Sequence, residues 1–298
     1  MSSRKEFLKT ILPLSLFAPL LNQSKDLNAL KNLTDEFSSS PKMPVLFLGH
    51  GSPMNAIEEN EFVQGFRKIG ASIVRPKAIL CISAHWETNG TFVTAMQHPR
   101  TIHDFGGFPK ALFEVQYPAP GNPTLANQIK ETITKTQVQL DHQWGLDHGA
   151  WSVLKHLYPH ADIPIIQMSI DYTKSPDYHF ELAKELSELR NKGVLIVGSG
   201  NMVHNLGLVA WNKLNENFAF DWAAEASEKM KSYLLNKDFK SLVEFRKQGK
   251  AFELAIPTPE HYYPLLYVLG LNQNSDEIKI FNDKPVAGSL TMTSVQFG

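Results

Sequence analysis

Cysteine is almost absent from this chain of 298 residues. Cys81 stands alone, so no intrachain disulfide can form and zinc sites built only on thiolates are excluded. It lies inside the run Ala78-Ile79-Leu80-Cys81-Ile82, where a small buried hydrophobe is expected. Net charge is equally scarce: 29 basic residues against 30 acidic ones leave −1. That balance lacks the basic surplus of a nucleic-acid binder or a polybasic membrane clamp. Missing too are H-E-x-x-H, G-x-S-x-G and G-x-x-x-x-G-K, the marks of a helical zinc protease, a serine nucleophile elbow and a phosphate loop. Gly198-Ser199-Gly200 is only a fragment of a nucleotide loop, and its glycines are expected to serve close packing. From Met43 onward, internal repeats and low-complexity tracts are absent.

What is present divides at about residue 42. Ser3-Arg4-Lys5-Glu6-Phe7-Leu8-Lys9 precedes an apolar stretch from Ile11 to Leu21 and a polar spacer ending Ser38-Ser39-Ser40-Pro41. This has the layout of an export signal, too short for a stable membrane span, and its opening resembles a twin-arginine signal with Lys5 at the second arginine. Residues 1–42 are therefore expected to export the chain to the periplasm; without that function it would stay in the cytoplasm. Residues 43–298 read as one domain. At that size about three quarters of the unfolded surface is buried, so a metal is expected to serve chemistry rather than folding.

Within the domain, Val45 to Leu48, Ala78 to Ile82, Pro164 to Ile170 and Val194 to Val197 are short, apolar and non-alternating, as strands buried on both faces are. Helical patterns lie between and after them: Glu59 to Ile69, Pro123 to Thr134, Ala150 to Leu157, Pro176 to Leu189 and Asp221 to Leu235. Gly288 to Phe297 reads as a final strand. The alternation predicts an α/β fold: a three-layer α/β/α single domain around a mostly parallel or mixed sheet. In such sheets ligands bind beyond the carboxyl ends of the strands.

Histidines stand at that edge. The first run ends Gly49-His50-Gly51-Ser52-Pro53, the second Ser83-Ala84-His85-Trp86, and the fourth Gly200-Asn201-Met202-Val203-His204-Asn205. Further candidates are His261, beside Glu260 after two stiffening prolines, and His148, beside Asp147 in a glycine-rich loop. Asp147 is placed to tune a neighbouring imidazole. His103 sits in a long loop rich in glycine and aromatics that could line a pocket, while His98, His142, His156, His160 and His179 read as surface residues. Trp86, Phe105, Phe108 and Tyr262 are candidates to contact an aromatic ligand or to pack the core. Imidazoles with few carboxylates and no thiolates suit zinc or non-haem iron, and spacing does not choose between them.

In this order, Gly49-His50-Gly51-Ser52-Pro53, Ser83-Ala84-His85-Trp86, Leu146-Asp147-His148-Gly149, Gly200-Asn201-Met202-Val203-His204-Asn205 and Pro259-Glu260-His261 resemble the class III extradiol ring-cleavage dioxygenases, in the branch containing 4,5-DOPA extradiol dioxygenase. The likeness runs from about residue 43 to 298. It implies one divalent metal, with Fe2+ expected for ring cleavage and Zn2+ possible as bound. His50, His85 and His261 would be ligands, His204 a fourth ligand or close neighbour, and His148 and His204 the candidates for acid–base work. Where many members complete the site with a glutamate, this chain places His261 next to Glu260. The implied partners are a catecholic small molecule and O2, with a muconic semialdehyde as product. Two alternatives stand beside it: a zinc hydrolase on the same histidines, and a non-catalytic, Memo-like binding protein.

Overall fold

The computed structural model describes residues 41–298 apart from Asn215, and the export-type segment lies outside the described residues but for Pro41 and Lys42. Among them no helix is long and apolar enough to cross a membrane.

The strongest apolar runs make the middle of the sheet. They are β1 (Val45–Gly49) and β2 (Ala78–Thr88), followed after short β3 (Thr91–Thr94) and β4 (Val138–Asp141) by β5 (Ile165–Asp171) and β6 (Val194–Gly200). The chain closes with β7 (Ile278–Phe281), β8 (Pro285–Val286), β9 (Leu290–Thr291) and β10 (Ser294–Phe297). Eight strands form one sheet in the order β4-β3-β5-β2-β6-β1-β10-β7. At its centre β1, β6, β2 and β5 run parallel, and β10 pairs antiparallel to β1, giving the mixed sheet expected.

Both faces of the central strands are dry, which is why their sequences do not alternate. Along β1, Val45 and Phe47 enter one core while Leu46 and Leu48 enter the other. Helices α1 (Glu61–Ser72), α2 (Lys110–Phe113), α3 (Pro123–Thr132), α4 (His148–Leu157) and α5 (Pro176–Lys184) come first along the chain. They are followed by α6 (Asp221–Leu235), α7 (Phe239–Val243), α8 (Lys250–Ala255) and α9 (Tyr263–Gly270). Phe66 and Ile69 of α1 and Trp151 and Leu154 of α4 cover one face; α3, α5, α6 and α9 cover the other. The layers are thus α/β/α.

Three differences from the sequence reading have physical causes. First, β2 does not stop at Ile82. It runs on to Thr88 through a register break in which Ser83 to Trp86 face only Ser169 of β5 between the pairs Ile82–Met168 and Glu87–Ile170. Such bulges bend a strand and re-aim its side chains. Second, the final strand is split, β9 pairing with β8 and β10 with β1. Third, His156 and His179 are buried rather than on the surface. Internal partners replace water for them: His156 Nε2 lies 2.7 Å from the Asn55 carbonyl and His179 Nδ1 lies 3.0 Å from the Tyr267 hydroxyl.

Both ends of the described chain are tied by Arg190, which is fully buried and donates to the carbonyls of Met43, Leu271 and Phe297 and to Asp276 at 2.6 Å. Lys42 also reaches Asp276, at 2.6 Å. Burial alone would raise the Asp276 carboxyl, but the bonds from Arg190 and Lys42 outweigh it and hold it down at about 2. Removing one partner of a buried ion pair strands the other, at a cost of about 3–5 kcal/mol. Arg190→Met is expected to lose that much in urea unfolding; a loss below about 1 kcal/mol would contradict the role assigned to the pair.

Candidate metal centre

The parallel arrangement of β1, β2 and β6 sends their carboxyl ends to one edge, and five histidines converge there. His50 follows β1 directly. Its amide donates to the Gly200 carbonyl at the end of β6 (3.0 Å), and its carbonyl accepts from Asn55 Nδ2 (3.0 Å). Gly51 then turns away with a left-handed φ of 62°, a conformation that favours glycine. His85 lies in the β2 bulge, so the irregularity of the strand is what delivers its ring. His148 opens α4, whose N-cap is Asp147. His204 follows β6, and His261 precedes α9. The His261 carbonyl accepts from the Asn201 amide (2.9 Å), and a Cβ at Gly200 would come within 2.1 Å of that carbonyl oxygen. Close packing is therefore what Gly200 supplies, as it is at Gly198, where a Cβ would meet the Pro264 carbonyl at 2.5 Å.

His50 Nε2 and His85 Nε2 face each other at 3.3 Å. The ring of His85 lies 3.9 Å, centre to centre, from that of His148 and 5.0 Å from that of His261; His50 lies 5.2 Å from His261. His204 stacks on His261 at 3.6 Å with planes 9° apart. Donor atoms fall into two groups, each within 4.8 Å: His50, His85 and His148, and His204, Glu260 and His261. The structure thus gathers all five sequence-selected histidines at one edge. It puts His148 in one group with His50 and His85, and sets His261 and His204 in the other.

Hydrogen bonds assign protons to several rings. The Ser199 hydroxyl has one proton and donates it to the Gly149 carbonyl, so towards His50 Nδ1 (3.0 Å) it can only accept. His50 therefore carries its proton on Nδ1 and presents a lone pair at Nε2. His261 Nδ1 lies 3.0 Å from Glu260 Oε1, and the same logic leaves its Nε2 bare. His85 Nδ1 faces Asp104 Oδ2 at 3.5 Å. Ligating imidazoles are oriented in this way, with the second nitrogen donating to an acceptor. The donor set also fits an ion by distance, because nitrogens about 2.0–2.1 Å from a shared metal lie about 3.0–3.4 Å apart. Without a cation, a single proton between the two Nε2 atoms would have to serve. A transition-metal ion held by imidazoles is the better match to these residues.

Charge supports the same fit. Burial, then the neighbouring imidazoles His85, His261, His148 and His204, push His50 well below its ordinary range, and burial followed by His148 does the same to His85. Burial and His261 bring His204 down to about 3. These rings are neutral near pH 7, the form that binds metal. Burial would raise Glu260, yet its bond from His261 outweighs this and holds the carboxyl at about 2. Glu260 is thus a firmly ionised carboxylate beside the imidazoles.

Asp147 does not orient its neighbour. It points beneath the site, accepting from Ser83 Oγ (2.6 Å), Gln167 Nε2 (2.7 Å) and the Ala150 amide (3.0 Å). Asp104 reaches His148 instead, accepting from its ring at Nδ1 and from its backbone amide, both at 2.9 Å. Sequence reading missed Asp104; the only hint was its place beside His103 in the glycine- and aromatic-rich loop. His103 serves that loop, its Nε2 lying 3.0 Å from the Val115 carbonyl. Among the aromatic candidates, Trp86 is buried and stacks on Trp144, and Tyr262 is buried with its hydroxyl on the Leu242 carbonyl. Phe105 is half-buried, 5.5 Å from the His148 ring, and packs edge-on to Phe108.

Comparison with known proteins agrees with this geometry. Residues 42–297 match the family model described as the catalytic LigB subunit of aromatic ring-opening dioxygenase. The chain is 47% identical over 268 residues to 4,5-DOPA dioxygenase extradiol of Escherichia coli K12, covering 89% of this chain and 98% of that protein. It is 35% identical over 259 residues to 4,5-DOPA dioxygenase extradiol of Beta vulgaris, covering 84% and 95%. A crystal structure of an uncharacterized Escherichia coli K12 protein superposes with a TM-score of 0.75 at 43% identity, over 86% of this chain and 100% of the other.

Proposed function

This chain belongs to the family of aromatic ring-opening dioxygenases that contains the catalytic LigB subunit, and on that premise we propose that it opens a DOPA-like catechol with O2, outside the two hydroxyls, to a muconic semialdehyde. The observation that carries the reading is the pair of opposed Nε2 atoms of His50 and His85, with three further histidines around them.

In this reading His50, His85 and His261 hold the metal, with His204 a fourth ligand or close neighbour. Iron(II) there would supply the electron transfer that lets O2 react with a catechol, whereas redox-inert zinc would not. His148 contributes a base: its Nε2 accepts a proton from a catechol hydroxyl. The His204 ring has no hydrogen-bond partner among the described residues, which leaves its nitrogens free to meet substrate or to return a proton. Phe105, itself packed against Phe108, gives His148 an apolar neighbour that limits water around the reacting oxygens.

The test is anaerobic loading with iron(II), then addition of DOPA and O2. Yellow ring-opened product with matching oxygen uptake is expected, and the zinc-loaded protein should give neither. A fully iron-loaded protein that consumes no oxygen across a panel of catechols would move the assignment to zinc-dependent hydrolysis at the same histidines.

A further inference from the structure

We propose that Asp104 is a positioning residue for the reaction, fixing the tautomer of His148 so that Nε2 stays unprotonated and aimed at the substrate. The inference rests on the ring-opening reading for its kinetic arm only.

The geometry is specific. Asp104 Oδ2 lies 2.9 Å from His148 Nδ1, and Oδ1 lies 2.9 Å from the His148 backbone N–H. A carboxylate only accepts, so both groups facing it must donate and the His148 proton sits on Nδ1. The opposite nitrogen is then bare, as a base requires. Asp147, the sequence neighbour that could have competed, is fully engaged with Ser83, Gln167 and the Ala150 amide. Oδ2 also lies 3.5 Å from His85 Nδ1, so one carboxylate steadies the base and a neighbouring site imidazole together.

The loop presents Asp104 at the end of an anchored stretch. Ile102 N–H donates to the Leu146 carbonyl (2.7 Å), Trp151 Nε1 donates to the Ile102 carbonyl (2.7 Å), and His103 Nε2 meets the Val115 carbonyl (3.0 Å). Beyond Asp104 and Phe105, Gly106 and Gly107 have nothing within 4 Å of where a Cβ would stand. The carboxylate is therefore fixed, and the open part of the loop begins just after it.

This arrangement makes asparagine worse than alanine. An amide offers one acceptor and one donor. The His148 backbone N–H can only donate, so it takes the amide oxygen and leaves the NH2 facing Nδ1. Nδ1 must then accept, and the ring proton moves to Nε2, where it blocks the base. Alanine makes no such demand and lets the ring sample both tautomers. A merely structural carboxylate would give the opposite order, because asparagine keeps a bond that alanine loses.

Two measurements decide it. In zinc-loaded wild-type protein with 15N-labelled histidine, the His148 proton is expected on Nδ1, with the resonance assigned by its loss in His148→Asn. In Asp104→Asn it should move to Nε2. With iron(II) and DOPA, Asp104→Asn should lose on the order of 100- to 10,000-fold in kcat with little change in KM, and Asp104→Ala should lose less. A wild-type His148 protonated on Nε2 overturns the proposal whether or not any variant folds or any catechol turns over. Asp104→Asn with kcat equal to or above that of Asp104→Ala overturns it as well.

Discussion

Replacing His85 with alanine is expected to strip the metal and cut turnover at least about 1,000-fold, since a bound ion is worth several kcal/mol in the transition state and each 1.36 kcal/mol is tenfold in rate. His85 is the hub of the cluster. Its Nε2 is 3.3 Å from that of His50, and its ring lies within 5.0 Å, centre to centre, of those of His50, His148 and His261. The β2 bulge that aims it has no other imidazole to offer. The loss should be local, because the two cores on either side of the sheet are built from other residues. Metal analysis after gel filtration should therefore show only background, while circular dichroism stays that of wild type. A His85→Ala protein with full metal and normal turnover would contradict the site.

His148→Ala and His261→Ala should separate base from ligand. His148→Ala is expected to keep its metal and lose about 100- to 10,000-fold in kcat, the usual worth of a positioned proton acceptor. His261→Ala should lose the metal itself, since Glu260 fixes its Nδ1 proton and leaves Nε2 to coordinate. The opposite outcome has a definite structural meaning, because His148 shares a donor group with His50 and His85. If His148→Ala loses the metal and His261→Ala retains it, those three are the ligands. Proton transfer would then fall to the stacked pair His204 and His261. Metal content and kcat, measured on both variants, distinguish the two arrangements.

The centre of the fold was legible because its strands are dry on both faces. Val45 to Leu48 and Val194 to Val197 read as unbroken apolar runs, and each lies in the sheet where that pattern requires. The site histidines were legible for a related reason, since β1 and β6 end at Gly49 and Gly200, shortly past their apolar runs. His85 was found just past its apolar run, but its strand was drawn too short. A bulge has no period to detect, and the serine and alanine inside it gave no apolar signal. Short edge strands such as β4 and β7, with mixed burial, were equally silent.

His156 and His179 were misplaced because a histidine carries no mark of whether it will find an internal partner. Asn55 and Tyr267 become those partners only after folding. Asp104 was invisible for the same reason: the residue it serves lies 44 positions away, across the loop. Its neighbour Asp147 looked the better candidate on adjacency, yet helix capping claimed it. Adjacent residues at a helix start point in different directions, and the N-cap side chain bonds back to its own helix.

The most direct measurement is turnover of DOPA by the iron(II)-loaded protein under 18O2, followed by mass spectrometry of the product. Extradiol ring opening at this site predicts that both atoms of one labelled oxygen molecule enter a ring-opened product, and that this product disappears in His85→Ala. An unlabelled product, or an oxidised catechol whose ring is still closed, would contradict it.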